Sequence, residues 1–245
     1  MPEGPSILIL KELVQPFCGK KILEVTGNTK QSKERLLNCT VRSFKSWGKQ
    51  FLICFDDFTV RIHLLLFGSY LINETKAAQP RLSLHFENGL INFYACSVKF
   101  LEDPLDSIYD WEADILSQHW NPLAAKVKLL KTPSLLVCDA LLTQDIFAGS
   151  GNIIKNEVLF RERLHPLNKI EDLNVVQLES LIDATRSYAF DFLKWKKNFE
   201  LKKHWQAHNR TICPRCNIAF KRAYLGKFKR RTFYCSNCQI LYNEQ

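Results

Sequence analysis

The spacing of apolar residues divides the chain into a helical opening, a β-rich stretch and a helical stretch. Ile7, Leu10 and Val14 share one face of a helix predicted within the first twenty residues. From residue 20 to about residue 100, short runs of apolar residues predict β-strands joined by tight turns. These are residues 51–55, the turn Asp56-Asp57, residues 59–65, the alternating Leu82, Leu84 and Phe86, the turn Asn88-Gly89, and a strand through Ile91 and Phe93. Several short strands in succession favour a sandwich or a barrel.

Beyond about residue 103 the apolar positions take a helical period. Pro122, Pro133 and Pro166 mark breaks between the helical segments. The predicted helices cover residues 123–130, 134–144, 156–164, 173–188 and 190–205. The last 33 residues are expected to form a separate small unit.

The composition excludes several classes of protein. With 46% hydrophobic residues among 245, the chain can bury a core, which excludes a disordered basic tail. No apolar run approaches the roughly 18 residues of a membrane span, so no membrane partner is expected. The N-terminal segment lacks the basic residues that open a signal peptide. The nine cysteines are therefore expected to be reduced thiols or metal ligands in a cytoplasmic protein, associated with the nucleoid if the source is bacterial.

The basic residues are concentrated toward the C-terminus. Residues 194–245 contain 13 Lys and Arg but only two acidic residues, Glu200 and Glu244, whereas residues 1–193 carry a slight acidic excess. The same segment is rich in aromatic residues, which a solubilising tail does not need. Positive charge interleaved with aromatic side chains favours a polyanionic partner, and nucleic acid ranks ahead of a membrane surface.

Two pairs of closely spaced cysteines give the most specific local signal. They are Cys213, Cys216, Cys235 and Cys238. Each pair places two sulfurs on one turn, and four thiolates complete a tetrahedral Zn²⁺ shell that has no open position. The sequence therefore predicts one structural zinc ion that holds the hairpin between the pairs. His204 and His208, four residues apart on a predicted helix, leave a second metal site as an alternative.

Two further motifs are ambiguous when each is taken separately. The glycine-rich turn at residues 149–152 exposes backbone N–H groups that suit a phosphate, but such turns also simply join helices. Removal of Met1 would leave Pro2 with a free secondary amine, a nucleophile that forms an iminium, and Glu3 beside it could shuttle protons. A proline at this position is also common in proteins where it has no function.

Five motifs follow one another from residue 2 to residue 239. They are Pro2-Glu3-Gly4-Pro5, Trp47-Gly48-Lys49, His63 to Gly68, Gly149-Ser150-Gly151-Asn152 with Asn156-Glu157, and Arg230 to Cys235 with Cys238-Gln239. In order and spacing they resemble the formamidopyrimidine-DNA glycosylase/endonuclease VIII family of base-excision repair enzymes, in particular its endonuclease VIII-like branch. The resemblance implies an α+β fold: an N-terminal β-sandwich with a leading helix at residues 1–118, a helix–two-turn–helix domain at 119–207, and a zinc-finger hairpin at 208–245.

The resemblance also assigns roles to individual residues. It implies a bifunctional DNA glycosylase and AP lyase that excises oxidised bases through a Schiff base on Pro2, followed by β,δ-elimination. Glu3 would be the general acid/base, and Lys49 would grip a phosphate near the lesion. The partner of this monomer would be damaged DNA, double- or single-stranded. The implied DNA contacts are His63, Asn152, Arg230 and Leu66; Leu66 would fill the space left by the displaced nucleotide, with a place in a strand core as the alternative.

Departures from the family pattern leave the substrate open. Most relatives have Glu where this chain has Ser6, and residues 94–100 contain no clear counterpart of the family's Arg and Phe wedge. Residues 197–210 contain no glycine-rich insertion to cap an oxidised purine, and Gly4 stands where purine-specific relatives have leucine. The last two features favour oxidised pyrimidines. Ser6 and the missing wedge support a second hypothesis, a DNA-binding lesion sensor or an AP lyase that has lost base excision.

Overall fold

The chain divides after Asp110 into two units in the computed structural model, which describes residues 2–242. In the first unit, helix α1 (Gly4–Leu13) precedes the strands, and a one-turn helix α2 (Leu105–Ile108) follows them. The strands are β1 (Glu24–Thr26), β2 (Ser43–Trp47), β3 (Gln50–Cys54), β4 (Thr59–His63), β5 (Ser69–Ile72), β6 (Leu82–Phe86), β7 (Gly89–Tyr94) and β8 (Ser97–Leu101).

These strands form two four-stranded antiparallel sheets that share one core. The strand orders are β1-β6-β7-β5 and β2-β3-β4-β8. Phe51 of one sheet and Phe93 of the other are fully buried, and their ring centroids lie 5.9 Å apart. Ile7 and Leu10 of α1 join the same apolar cluster. The predicted β-sandwich with a leading helix is therefore confirmed.

Of the two predicted hairpin turns, the first is confirmed and the second is displaced by one residue. Cys54 pairs with Thr59, so Asp56 and Asp57 lie at the centre of the β3–β4 turn, as predicted. The prediction of an Asn88-Gly89 turn is wrong by one residue. Phe86 pairs with Gly89, which makes Glu87 and Asn88 the turn and leaves Gly89 as the first residue of β7.

The second unit contains helices and a two-stranded hairpin. The helices are α3 (Pro122–Leu130), α4 (Val137–Ala140), α5 (Asn152–Arg161) and α6 (Val175–Lys197), and the strands are β9 (Lys221–Leu225) and β10 (Arg230–Tyr234). Two turns join α4 to α5, so the expected helix–two-turn–helix is present. The finger hairpin belongs to the same compact unit as the helices. The domain boundaries expected at residues 118 and 207 stay predictions.

Four predicted helices have different bounds in the structure. The helix expected at 134–144 is reduced to the single turn α4, and the helix expected at 156–164 begins four residues earlier. The helices expected at 173–188 and 190–205 are one helix up to Lys197, because Tyr188, Ala189 and Phe192 continue its buried face. Asn174 caps its start by accepting a hydrogen bond from Gln177 N at 2.9 Å.

No described helix is suited to spanning a membrane. Even α6, with 23 residues, is too polar over its length.

Candidate active site and metal centre

Pro2 and Glu3 lie directly before α1. Glu3 is the N-cap residue with extended backbone (φ −117°, ψ 174°), and its carbonyl accepts a hydrogen bond from Ser6 N at 2.8 Å. The Glu3 side chain makes no capping hydrogen bond and is completely buried, an environment that carboxyl groups occupy only when they are paired or hydrogen-bonded. Pro2 is half-buried. Met1 lies outside the described residues, so its removal stays a prediction.

Lys49 lies at the tip of a β-hairpin. Because Trp47 pairs with Gln50, Gly48 and Lys49 form the two-residue turn between β2 and β3. Gly48 has φ 54°, the left-handed region that favours glycine at such a turn. The Trp47 ring packs 5.1 Å from the ring of Tyr109, and the Tyr109 hydroxyl donates to Gln50 Oε1 at 2.6 Å. Both ends of the turn that carries Lys49 are therefore anchored.

His63 lies beside this turn. It is the last residue of β4 and pairs with Gln50, the residue after Lys49. Burial lowers the pKa of His63, and the positive charges of Lys49 and Arg61 lower it further. His63 is therefore neutral near pH 7 and offers one N–H donor without adding positive charge. Lys49 and His63, which are 14 positions apart in the sequence, thus lie at the same end of the adjacent strands β3 and β4.

An apolar tip, Leu65-Leu66-Phe67, follows β4. These side chains are 50%, 47% and 84% exposed. Leu66 therefore lies in an exposed turn, and the alternative of a strand core position is wrong. A Cβ on Gly68 would lie 1.9 Å from the carbonyl oxygen of Leu64, so the turn closes only with glycine at this position. Phe67 has no predicted role, although a run of four large apolar residues that ends at a glycine indicates such a tip.

In the second unit, the glycine-rich turn leads into α5. Asn152 is the first residue of α5, and its Nδ2 donates to the carbonyl of Arg231 at 2.9 Å. This hydrogen bond ties the turn to β10, which begins at Arg230. Asn152 Oδ1 is buried and accepts no hydrogen bond from the described residues. The structure thus brings Asn152 next to the residue that follows Arg230.

Two fully buried side chains of α5 bind the finger hairpin. Lys155 Nζ donates to Thr232 Oγ1 at 2.7 Å, and Asn156 Oδ1 accepts from Phe233 N at 3.1 Å. Lysine is among the residue types that are least often fully buried. These contacts span 77 positions, and their effect is to fix β10, and with it Arg230, against the helix that begins at Asn152.

The next residue of α5, Glu157, holds the segment that leads into the finger. Its carboxylate is fully buried and accepts the N–H groups of Gln206, Ala207 and His208 at 2.7–3.1 Å. Asn156 and Glu157 belong to the motifs of the resemblance, which assigns them no role. In the structure, Asn156 holds the finger hairpin and Glu157 holds the segment that precedes the finger.

His204 and His208 do not form a second metal site. Helix α6 ends at Lys197, so the two residues do not share an α-helical face. His204 stacks on Trp195 with ring centroids 4.1 Å apart, and His208 Nδ1 lies 3.1 Å from Asn156 Nδ2. Burial, Lys155 and Arg231 lower the pKa of His208 to about 4, so it is a neutral acceptor for the Asn156 amide near pH 7.

The four cysteines of the finger converge at one point. The Sγ atoms of Cys213, Cys216, Cys235 and Cys238 all lie within 4.8 Å of one another, and those of Cys213 and Cys238 are 3.7 Å apart. Zn–S bonds of about 2.3 Å in a tetrahedron place sulfurs about 3.8 Å apart, so the donor set fits such an ion. Among the described residues this is the only cluster of this kind, and it can hold a metal ion. Phe160 of α5 packs on Phe220 of the finger at 5.5 Å, next to the buried cysteines.

Comparison with known proteins places the chain in a family. The profile of the formamidopyrimidine-DNA glycosylase N-terminal domain matches residues 1–100. Endonuclease 8-like 3 of Mus musculus is 33% identical over 217 residues, which are 84% of this chain but 36% of that protein. The chain thus spans a little over a third of the length of that relative. Endonuclease 8-like 2 of Bos taurus is 34% identical, and the match covers 98% of this chain and 96% of that protein.

Solved structures confirm the fold. A viral DNA glycosylase has a TM-score of 0.85 at 19% identity, over 97% of this chain and all of that one. The formamidopyrimidine-DNA glycosylase of Lactococcus lactis, solved with DNA that contains an AP site, has a TM-score of 0.84 at 20% identity, over 97% and 99% of the two chains. The fold agrees over 97% of the chain, and the endonuclease 8-like relatives show that it belongs to the formamidopyrimidine-DNA glycosylase/endonuclease VIII family, in the endonuclease VIII-like branch.

Proposed function

We propose that the chain is a bifunctional DNA glycosylase and AP lyase of base-excision repair, acting on oxidised bases, pyrimidines before purines. The observation that carries this proposal is the position of Pro2 directly before a completely buried Glu3 at the start of α1. A carboxyl group next to a secondary amine can supply the proton transfers that amine-based covalent catalysis uses. Family membership supports the same chemistry.

In this mechanism the unblocked nitrogen of Pro2 attacks C1′ of the damaged nucleotide, and the glycosidic bond breaks. Glu3 donates a proton as the sugar ring opens, and the positive iminium on Pro2 draws electrons from the sugar. This acidifies the C2′ proton, whose removal expels the 3′ phosphate (β-elimination). Removal of a second proton, from C4′, then expels the 5′ phosphate (δ-elimination), and hydrolysis of the iminium finally releases the proline.

The charged residues of each unit supply phosphate contacts. Lys49 at its hairpin tip adds a cation, and neutral His63 adds a hydrogen-bond donor beside it. In the second unit, Asn152 and Arg230 act as the clamp, since the hydrogen bond from Asn152 to Arg231 keeps the two close. Damaged DNA is thus the proposed partner. The apolar tip supplies Leu66 and Phe67 to fill the space of an extruded nucleotide.

The four finger cysteines would hold one Zn²⁺ as a structural ion. The ion would supply fixed geometry to the β9–β10 hairpin, since four thiolates leave no position for a reacting group. DNA would then be bound by side chains of the finger, in particular by Arg230 at the start of β10. The short span of the finger buries few apolar side chains, which is why a metal is needed to stabilise it.

Borohydride trapping tests the covalent step. Protein with Met1 removed is incubated with abasic-site DNA and borohydride, which reduces the imine to a stable crosslink. The expected result is a covalent adduct whose mass maps to Pro2. DNA binding without any adduct would contradict the proposal. Pro2→Gly should reduce or reroute trapping, while Glu3→Gln should suppress base excision. Glu12→Gln, an exposed change on the same helix, serves as the control.

One observation favours a second candidate, a lesion sensor without base excision. Ser6 is only 6% exposed on α1, and the resemblance leads us to expect a glutamate there, so this position offers a hydroxyl in place of a carboxylate. Intact-mass measurement of the purified protein separates the two candidates. Retained Met1 would block the Pro2 amine and favour the sensor.

A further inference from the structure

A strap, residues 73–81, crosses the outer face of the sheet β1-β6-β7-β5. Three of its hydrogen bonds show how it is held. Asn92 Nδ2 donates to the carbonyl of Glu74 at 2.8 Å, and Lys76 Nζ donates to Ser69 Oγ at 2.9 Å. At the end of the strap, the Arg81 guanidinium donates to the carbonyl of Asn28 at 3.1 Å. The strap is thus fixed to the sheet along its length, on the side away from the core of the sandwich.

The strap and the sheet border a cavity of about 430 Å³ that is open to solvent on one side. Sites for small molecules generally have volumes of about 300–1,000 Å³. Ser83 and Asn92, each 2% exposed, lie on its floor, on the face of β6 and β7 opposite to the apolar core. None of the residues of this cavity was singled out by the sequence, and none takes part in the proposed repair chemistry.

The polar lining of the cavity is rich in donors. Hydroxyl groups of Thr26, Thr75 and Ser83 line it, together with the ammonium group of Lys76. Within residues 2–242, none of the lining side chains is a carboxylate, and Lys76 forms no ion pair. Lys76 Nζ instead lies 4.1 Å from the centre of the Tyr94 ring. A cation among hydroxyl groups, with no carboxylate in the lining, matches a ligand that carries an oxyanion.

His85 lies on the floor next to Ser83. Its Nε2 lies 3.0 Å from Ser83 Oγ, and its Nδ1 lies 3.9 Å from Glu24 Oε2. The carboxylate on the Nδ1 side favours the tautomer with its proton on Nδ1, and Nε2 then accepts the hydroxyl proton of Ser83. This hydrogen bond fixes the side chains of the floor, and the ammonium group of Lys76 remains the charged donor at the cavity.

The remaining wall is apolar. Ala77, Ala78 and Pro80 of the strap face Leu90 of the sheet across the cavity. We propose that the cavity binds a small amphipathic oxyanion: a phosphate or carboxylate held by Lys76 and the hydroxyl groups, with a flat organic body between the strap and Leu90. The size of the cavity suits a mononucleotide or an aromatic carboxylate. This site lies within the first unit and does not depend on the proposed repair activity.

Amide chemical shifts under titration test this site. The probes are thymidine 5′-monophosphate, benzoate and inorganic phosphate, added separately to the full-length chain at constant ionic strength. The expected result is saturable shifts at Ser83, Leu90 and Asn92 with at least one of the two organic anions. Inorganic phosphate should bind more weakly because it lacks the organic body. The two organic probes distinguish phosphate from carboxylate ligands.

Lys76→Gln should weaken this binding about tenfold, which corresponds to the loss of one charge-assisted hydrogen bond. Lys99→Gln, an exposed change on β8 in the other sheet, is the matched control and should bind like wild type. Ser83→Ala tests the floor independently of Lys76. Saturable shifts that are equal in wild type and Lys76→Gln, or the absence of saturation with both organic anions, would overturn the proposal. Borohydride trapping should be unchanged in Lys76→Gln, which separates failure of this site from failure of the repair chemistry.

Discussion

Asp139 of α4 holds the finger turn by accepting a hydrogen bond from Lys227 N at 2.9 Å on Oδ2. A second, longer contact of 3.4 Å joins Phe228 N to Oδ1. Asp139 is 4% exposed, and a Cβ on Gly226 would lie 2.3 Å from Oδ1, so the carboxylate is seated against the backbone of the turn. The turn precedes Arg230 directly, which makes Asp139 a positioning residue for that arginine.

Asp139→Ala should lower both stability and DNA affinity. The loss of a charged acceptor for two N–H groups costs about 1–3 kcal/mol of unfolding free energy, measured by urea denaturation. DNA affinity should fall because the Arg230 turn loses its support, while the metal content stays the same. Asp139→Asn keeps one acceptor oxygen and should give a smaller loss. Asp145→Asn, an exposed change in the following turn, is the control. Wild-type affinity in Asp139→Ala would show that the turn is held by other contacts.

The finger and the sandwich show which features the sequence could predict. The four metal ligands could be predicted because the spacing of each cysteine pair determines its geometry locally. The strands of the sandwich could be predicted for the same reason, because apolar and polar residues alternate along them. The contact of Lys155 with Thr232 was not visible, because it joins residues 77 positions apart and puts a lysine where the pattern favours an apolar residue.

The helices show a second limit of the sequence. The apolar pattern predicts a new helix that begins at Phe190. In the structure α6 continues through Phe190, because its buried face includes Tyr188 and Phe192. Helix length here depends on tertiary packing, which a local pattern does not contain. The strand predicted at residues 59–65 is shorter in the structure: β4 ends at His63, because Leu65, with φ 51°, lies in the turn that carries Leu66.

His208 should make stability depend on pH. Its pKa is about 4 in the folded chain and 6.5 ordinarily, so only the unfolded chain takes up a proton between these values. Stability attributable to His208 is therefore present above pH 6.5 and is lost as the pH falls towards 4, by up to about 3 kcal/mol. Urea denaturation at pH 7.5 and pH 5 measures this loss. His208→Asn should reduce the dependence of the unfolding free energy on pH, whereas His119→Asn, a change at an exposed histidine, should not. An equal pH dependence in wild type and His208→Asn would show that His208 is not its source.

Metal removal should affect the finger before the rest of the chain. Chelation leaves four thiols whose sulfurs no longer hold the β9–β10 hairpin, so the amides of Thr232 and Phe233 should exchange faster with solvent. Amides of the sandwich core, such as Phe51 and Phe93, should keep their protection. Hydrogen exchange with mass spectrometry checks both regions, and metal analysis should give one zinc per chain. Unchanged exchange in the hairpin after complete metal removal would show that the ion does not stabilise it.

The apolar tip should matter more for duplex DNA than for an abasic single strand. In a duplex, extruding a nucleotide breaks stacking, and an apolar side chain that enters the gap recovers part of that cost, about a few kcal/mol per step. In a single strand little stacking is lost, so the tip contributes less. Leu66→Ala combined with Phe67→Ala should therefore reduce excision from duplex DNA at least about tenfold, with trapping on an abasic single strand nearly unchanged.

Both side chains are exposed, so the fold should tolerate the change. Leu123→Ala, which removes another exposed apolar side chain, on α3, controls for loss of surface apolarity. Equal losses on both substrates would mean that the tip supports the catalytic residues themselves and does not fill the gap.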